Sequence, residues 1–332
     1  PACMIRIVAY PRAALIGNPS DGYFGKTIAF VFSNFAAEVE LEPASRLSIV
    51  PCNRDRMQFN NPAELVEEIG EYGYYGGVRL VKAAIKVFYS YAVKNNLPLN
   101  APNFTIRYST NIPQRLGLAG SSAIVTAVFK ALLQHYNINI DKPILANLIL
   151  SAERDELKIG AGLQDRVAQV YAQPVYMDFD KTLMDKQGYG TYIPFDKNLL
   201  PPVYLAYRTN LSEGSEVTHN DLAARYAKGD AVVLDAIEQW KGLTTQVWNK
   251  LQAGDKDIAD LINRNFDIRN NTIVVSSGNK QLVQQALAAG ASAKFTGSGG
   301  AIIGTYTNSE MYSRLVDEMA KIGAVVIKPD IV

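Results

Sequence analysis

Three observations predict an α+β fold. The 332 residues, 48% hydrophobic and 20% charged, suffice to bury two cores of ordinary size. In the first half, Phe104, Ile106 and Tyr108 alternate with polar residues as in a strand, a glycine-rich turn follows, and Val125, Val128 and Leu132 recur at helical spacing. From Val203 onward strand and helix patterns alternate to Val332, which suggests a small sandwich with helices on one face of a sheet.

The elements follow in chain order. Met4 to Ala9 reads as a short apolar strand, and Thr27 to Leu41 carries strand-like aromatic and β-branched residues after the turn-rich Gly17-Asn18-Pro19-Ser20-Asp21-Gly22. Val78, Val81, Ile85, Phe88 and Ala92 mark an amphipathic helix after Gly76-Gly77, and Ile144, Leu145, Leu148, Ile149 and Ala152 mark another. Glycine, proline and polar residues cluster from Lys186 to Pro202, which places a boundary between domains 1–195 and 196–332. A strand at Val203 to Tyr207 opens the second half, and helices are expected at Asn220 to Tyr226, Ala231 to Leu251 and Lys280 to Ala289.

Composition narrows the function. Lys and Arg number 33 against 32 Asp and Glu, with no long block of one sign, so the electrostatic basis for binding nucleic acid or an anionic membrane is missing. Cys3 and Cys52 form no Cys-x-x-Cys pair, which argues against a zinc site and a disulfide framework and fits a reducing cytoplasm. No apolar run approaches the ~20 residues of a membrane span. A small-molecule chemistry is the expectation that remains.

Four segments bear on that chemistry. In Pro113-Gln114-Arg115-Leu116-Gly117-Leu118-Ala119-Gly120-Ser121-Ser122-Ala123, glycines let the backbone approach a ligand, and the free N–H groups of the following helix favour an anion. On its own such a turn serves a plain connection equally well. It lacks the Lys of a P-loop and any G-x-G-x-x-G, so neither a P-loop NTPase nor a dinucleotide-binding fold is supported. The run Tyr10 to Tyr23 delivers Arg12 from a strand and presents Asp21 and Tyr23 on a turn, and it also reads as an ordinary turn. Glu153-Arg154 and Asp165-Arg166 flank a glycine bend, a pattern that solvated charges also give. Lys294-Phe295-Thr296-Gly297-Ser298-Gly299-Gly300-Ala301 is a second glycine loop between two strands, compatible with a bulged hairpin.

In this order and at these separations the four segments resemble the GHMP kinase superfamily, which includes galactokinase, homoserine kinase, mevalonate kinase and phosphomevalonate kinase. Three family motifs match at Pro11 to Gly17, Pro113 to Ala123 and Lys294 to Ala301. Gly22-Tyr23-Phe24-Gly25, Gly162-Leu163-Gln164-Asp165-Arg166-Val167 and Val175-Tyr176-Met177-Asp178-Phe179 look most like the plant-type glucuronokinases. The resemblance implies the GHMP kinase fold, a ribosomal-protein-S5-domain-2-like N-terminal domain plus a C-terminal ferredoxin-like α+β sandwich.

It also implies roles. Gly117, Leu118, Ala119, Gly120, Ser121 and Ser122 would wrap the ATP phosphates, with Gly297 and Gly299 of the second loop beside them. Ser122 and Glu153 would ligate Mg²⁺, a hard cation that needs few protein oxygens when phosphate and water supply the rest. Asp165 would accept the proton of the attacking sugar hydroxyl, and Arg12 would neutralise charge or hold Asp165 ionised. Asp21, Tyr23, Arg166, Arg208 and Gly297 are the candidates for the substrate, with Arg115 and Lys158 as further cations for a carboxylate and Tyr75 and Tyr207 as further wall residues.

Two departures from the family pattern matter. Pro11-Arg12 lacks an intervening Gly, and Asn18-Pro19 stands where galactokinase-like members have Glu-His, which counts against galactose. The expectation is therefore an ATP- and Mg²⁺-dependent cytoplasmic kinase of a sugar or sugar acid, first of all D-glucuronate. The same chemistry on another sugar, a mevalonate-type kinase, and a non-catalytic regulator that binds sugar and nucleotide are the alternatives. His135 and His219 sit on apparent helices with no serine triad around them.

Overall fold

The computed structural model describes residues 3–208 and 215–332, the stretch 215–220 by its backbone alone. The first half carries β1 (Ile5–Ala9), β2 (Arg12–Ile16), β3 (Lys26–Val31), β4 (Ala37–Pro43), β5 (Ser48–Val50), α1 (Pro62–Tyr72), α2 (Gly77–Lys94) and β6 (Phe104–Thr110). Next come α3 (Gly120–Tyr136), α4 (Lys142–Ser151), α5 (Leu163–Tyr171), β7 (Val175–Asp178), α6 (Lys181–Gln187) and β8 (Thr191–Pro194). The remainder holds β9 (Val203–Tyr207), α7 (Ser215–Ala227), α8 (Ala231–Gln252), α9 (Ala259–Thr272), α10 (Ser277–Ala288), β10 (Lys294–Phe295), β11 (Ala301–Thr305), α11 (Ser309–Ala320) and β12 (Val325–Ile327).

The chain forms two compact units, neither continuous in sequence: 1–10, 35–114 and 119–161 make the first, and 11–34, 115–118 and 162–332 make the second. In the first unit β1-β4-β6-β5 is one sheet, antiparallel except for the parallel β5–β6 pair. Phe104, Ile106 and Tyr108 of β6 are buried while Arg107 and Ser109 point to solvent, the period of two expected for a strand covered on one side. Helix α3 lies on β1 and β4 and against α2. Its residues from Ser122 to Phe129 are all buried, as befits a helix apolar on every side.

The second unit holds two sheets. The order β2-β3-β7-β8 is antiparallel throughout, and β2 is buried at every position, so both of its faces are covered. Helices α5 and α8 pack on this sheet. In the other sheet, β10-β11-β9-β12, the strands run antiparallel with helices between β9 and β10 and between β11 and β12. That is the ferredoxin-like arrangement, and its core joins Tyr204, Phe266, Leu282, Phe295, Leu315 and Met319.

Differences from the sequence reading have local causes. Thr27 to Leu41 is two strands rather than one stretch, because the turn formers Ser33 and Asn34 end β3 and its continuation. Helix α9 lacks an apolar stripe in sequence since Asn265, Arg269 and Thr272 are three of its five buried residues. Helix α5 hides in the same way, with Gln164, Arg166 and Gln169 turned inward.

Candidate active site

In the second unit the candidate residues converge on Asp165. Helix α5 starts after Gly162, which is extended at φ −108°, and Asp165 stands in its first turn, where a carboxylate suits the positive helix end. Arg12, first residue of β2 and 4% exposed, gives Asp165 Oδ1 an Nη2 contact of 2.9 Å, while Arg166 Nη1 takes Oδ2 at 3.0 Å. The carboxylate is therefore gripped from both sides. Arg12 also donates through Nη1 to the Thr296 carbonyl at 2.5 Å, and Arg166 to the Gly162 carbonyl at 2.8 Å.

Asp21, on the 3₁₀ turn Ser20–Tyr23, completes the group. Its Oδ1 is shut off from solvent without a hydrogen-bond partner among the described residues, and a Cβ on Gly162 would stand 3.4 Å from its Oδ2. Burial, and next to it the charge of Asp165, pushes its pKa up to about 6, against the pull of Arg12 and Gln164. A folded-state value of about 6 above the ordinary 3.8 means that the folded protein holds this proton more tightly than the unfolded chain. Stability from this group is present below 3.8 and is lost as the pH rises through about 6. Asp21→Asn is expected to raise the melting temperature on the alkaline side of that range and to leave it unchanged on the acid side, as thermal melts across pH will show. An equal shift at every pH would rule out ionisation of Asp21 as the cause.

Of the other substrate candidates, Tyr23 pairs with Tyr226 at 4.9 Å between ring centroids, and burial pushes its hydroxyl up to about 12. Arg208 is committed to α10, donating to Gln281 Oε1 at 2.8 Å and to the Gly278 carbonyl at 2.6 Å. Tyr207 is buried, whereas Arg115 and Lys158 are exposed. Tyr75 lies in the first unit, within 6.0 Å of the Arg54 guanidinium.

The two glycine loops interlock within the second unit. A Cβ on Gly297 would meet the Gly117 carbonyl oxygen at 2.6 Å and Arg12 Nη1 at 3.0 Å, and one on Gly300 would meet the Arg115 carbonyl oxygen at 2.9 Å. At Gly117 a Cβ would come to 3.0 Å from the Ser298 nitrogen, on a backbone with φ +66° that disfavours any side chain. Backbone atoms cannot swing aside as side-chain tips do. Gly297→Ala is therefore expected to cost on the order of 1–3 kcal/mol, read from the denaturant midpoint.

In the first unit, α3 begins at Gly120 with Ala119 in the left-handed region at φ 61°. Ser121 Oγ donates to Glu153 Oε2 at 2.9 Å, and Ser122 Oγ donates to the Ala119 carbonyl at 3.1 Å. Glu153, fully buried, stands in a π-helical turn, Ala152–Glu156, that extends α4. Such turns concentrate at functional sites. The structure thus brings Glu153 to Ser121, the first serine of the pair, in direct contact, and its oxygens are donors of the kind Mg²⁺ takes. Among the described residues no cluster of three His, Cys, Asp or Glu could enclose a metal, so a cation here would need oxygens from phosphate and water.

Sequence reasoning gave no role to Lys294, Arg269 or Asn265, all buried beside the second loop. Asn265 ties the first motif down, accepting from the Gly17 N–H at 2.8 Å and donating to the Asn18 carbonyl at 3.1 Å. The only available signal was a lysine opening a glycine loop and an asparagine-rich helix, neither of which is specific. His135 rests on the Pro102 carbonyl at 2.7 Å, and the side chain of His219 lies outside the described residues.

Comparison with known proteins gives the class of this protein as a kinase. The GHMP kinases N terminal domain model matches residues 79–173. "Probable glucuronokinase 2" of Arabidopsis thaliana is 42% identical over 329 residues, 97% of this chain and 89% of that protein. Glucuronokinase 1 of the same plant is 40% identical over 328 residues, 97% of this chain and 90% of that protein. The crystal structure of Lactococcus lactis galactokinase complexed with galactose superposes with a TM-score of 0.73 at 16% identity, covering 99% of this chain and 93% of the other, and shows the shared fold. The chain belongs to the GHMP kinase family and is a phosphotransferase that acts on a hydroxyl with ATP as donor. No helix among the described residues is long and apolar enough to cross a membrane.

Proposed function

We propose that this protein is a glucuronokinase, transferring the γ-phosphoryl group of ATP to the anomeric hydroxyl of D-glucuronate to give the 1-phosphate. The observation that carries the substrate is the 40–42% identity, over nearly the whole chain, to two plant glucuronokinases.

In this reading Asp165 is the general base. Two guanidiniums on its oxygens aim it, so that it takes the proton as the hydroxyl attacks phosphorus. Arg12 sits where it can also balance charge on the phosphoryl group in transit. Asp21 and Tyr23 hold sugar hydroxyls, and the N–H groups opening α3, with Gly117 to Ser122, hold the nucleotide phosphates. Ser121, Ser122 and Glu153 would hold Mg²⁺, which supplies neutralisation of the β- and γ-phosphate charge.

The test is ADP release with glucuronate, galacturonate, galactose, glucose, a heptose phosphate and mevalonate in turn, in the presence of ATP and Mg²⁺. Release with glucuronate above all others is expected. Release confined to a non-uronate ends the substrate assignment, and sugar binding without any release ends the enzymatic one.

A further inference from the structure

The second glycine loop has an unusual backbone. Four consecutive carbonyls, those of Phe295, Thr296, Gly297 and Ser298, are all taken by buried basic side chains. Lys294 Nζ donates to the Phe295 carbonyl at 2.8 Å, Arg12 Nη1 to that of Thr296 at 2.5 Å, and Arg269 Nη1 and Nη2 to those of Gly297 and Ser298 at 3.0 and 2.8 Å. Among the described residues only Arg12 of the three has an ion pair with a carboxylate. Arg269, 5% exposed, stacks on the Phe295 ring at 4.9 Å with its Nε unmatched, and Lys294, 1% exposed, spends its other two protons on the Ala14 carbonyl and Asn18 Oδ1.

These carbonyl contacts also set the direction of the neighbouring N–H groups. In a trans peptide the C=O of one residue and the N–H of the next point in opposite directions, and the only cis bond among the described residues is Asn18-Pro19. Because Arg269 draws the Gly297 and Ser298 carbonyls to itself, the N–H groups of Ser298 and Gly299 are turned away from it. Among the described residues neither they nor the N–H of Gly297 have an acceptor, whereas the next one, Gly300, donates to Asn279 Oδ1 at 3.0 Å. The Ser298 nitrogen lies 3.0 Å from where a Cβ on Gly117 would stand, so the first glycine loop borders these donors with hydrogen alone. Successive N–H groups turned to one side form an anion-binding concavity, and the Arg269 guanidinium behind it reinforces its sign.

We infer that Arg269 is a positioning residue, bridging two adjacent carbonyls so that the Ser298 and Gly299 N–H groups act as a preset oxyanion site for the terminal phosphoryl group of ATP. This rests on the kinase reading and adds a residue to it. Lys294 and Arg12 anchor the start of the same loop. Lysine at position 269 would keep the charge but could not fork onto both carbonyls.

The experiment compares wild type, Arg269→Lys and Arg269→Gln by calorimetric titration with ATP and with ADP, without sugar, followed by steady-state kinetics. In both variants the preference for ATP over ADP is expected to fall, by about tenfold in the glutamine variant and less in the lysine variant, with kcat down ~10²-fold in the former. The ADP affinity and the KM for the sugar acid are expected to hold within about twofold, a pattern that general loosening would not give. Equal weakening of ATP and ADP, a rise confined to the sugar-acid KM, or wild-type values in either folded variant would overturn the assignment. If Arg269→Gln does not fold, Arg269→Lys alone decides by the same ratio. Failure of wild type to phosphorylate any sugar acid would instead sink the proposed substrate, since the nucleotide ratio is measured without sugar.

Discussion

Asp165→Asn is expected to lower kcat by ~10³-fold, within the range that general-base catalysis supplies, while calorimetry finds ATP bound almost as in wild type. Asparagine keeps the size and one acceptor oxygen of the side chain, so Arg12 retains a hydrogen bond at Oδ1 and α5 keeps its first turn. What disappears is the capacity to take a proton, together with the charge that offsets two guanidiniums. Nucleotide is held by N–H groups elsewhere in this reading, and its affinity has no reason to change. Turnover at the wild-type rate would remove Asp165 from the role of base.

Arg12→Met is expected to be the most damaging change to fold and activity together. Arg12 is buried, and its two terminal nitrogens serve different partners, Asp165 Oδ1 and the Thr296 carbonyl. Truncating it leaves a largely buried carboxylate with Arg166 alone and frees the second glycine loop from β2. Breaking such a pair from one side costs about 3–5 kcal/mol. Loss of the cation beside the reacting group should lower kcat by a further ~10²-fold. Chemical denaturation reads the first effect and ADP release the second. A variant as stable as wild type would mean that the pair is replaced by water without cost.

Much of this was legible in the sequence where apolar periodicity carried the information. Alternation at Phe104 to Tyr108 and the helical spacing of Val125, Val128 and Leu132 gave β6 and α3 because those faces are buried by hydrocarbon. Elements whose buried faces are polar escaped, as α9 does with Asn265 and Arg269. The site divides along the same line. The family resemblance pointed to Arg12, Glu153 and Asp165, while the pairing of Glu153 with Ser121 depends on a π turn that shifts the register of the chain. The buried amine of Lys294 could not be foreseen, since lysines are so seldom enclosed.

The interleaved division of the chain also sets a timetable for synthesis. Every strand and helix of the first unit precedes residue 162, so that unit can close while the ribosome is still working. The β2–β3 hairpin of the second unit is made early but pairs with β7, whose residues follow about 140 positions later. At ~5–20 residues per second, this nearly all-apolar hairpin waits roughly ten seconds for its partner strand. A nascent chain paused near residue 161 would expose β2 and β3 to any passing sheet edge, and it is there that a chaperone would have most to protect.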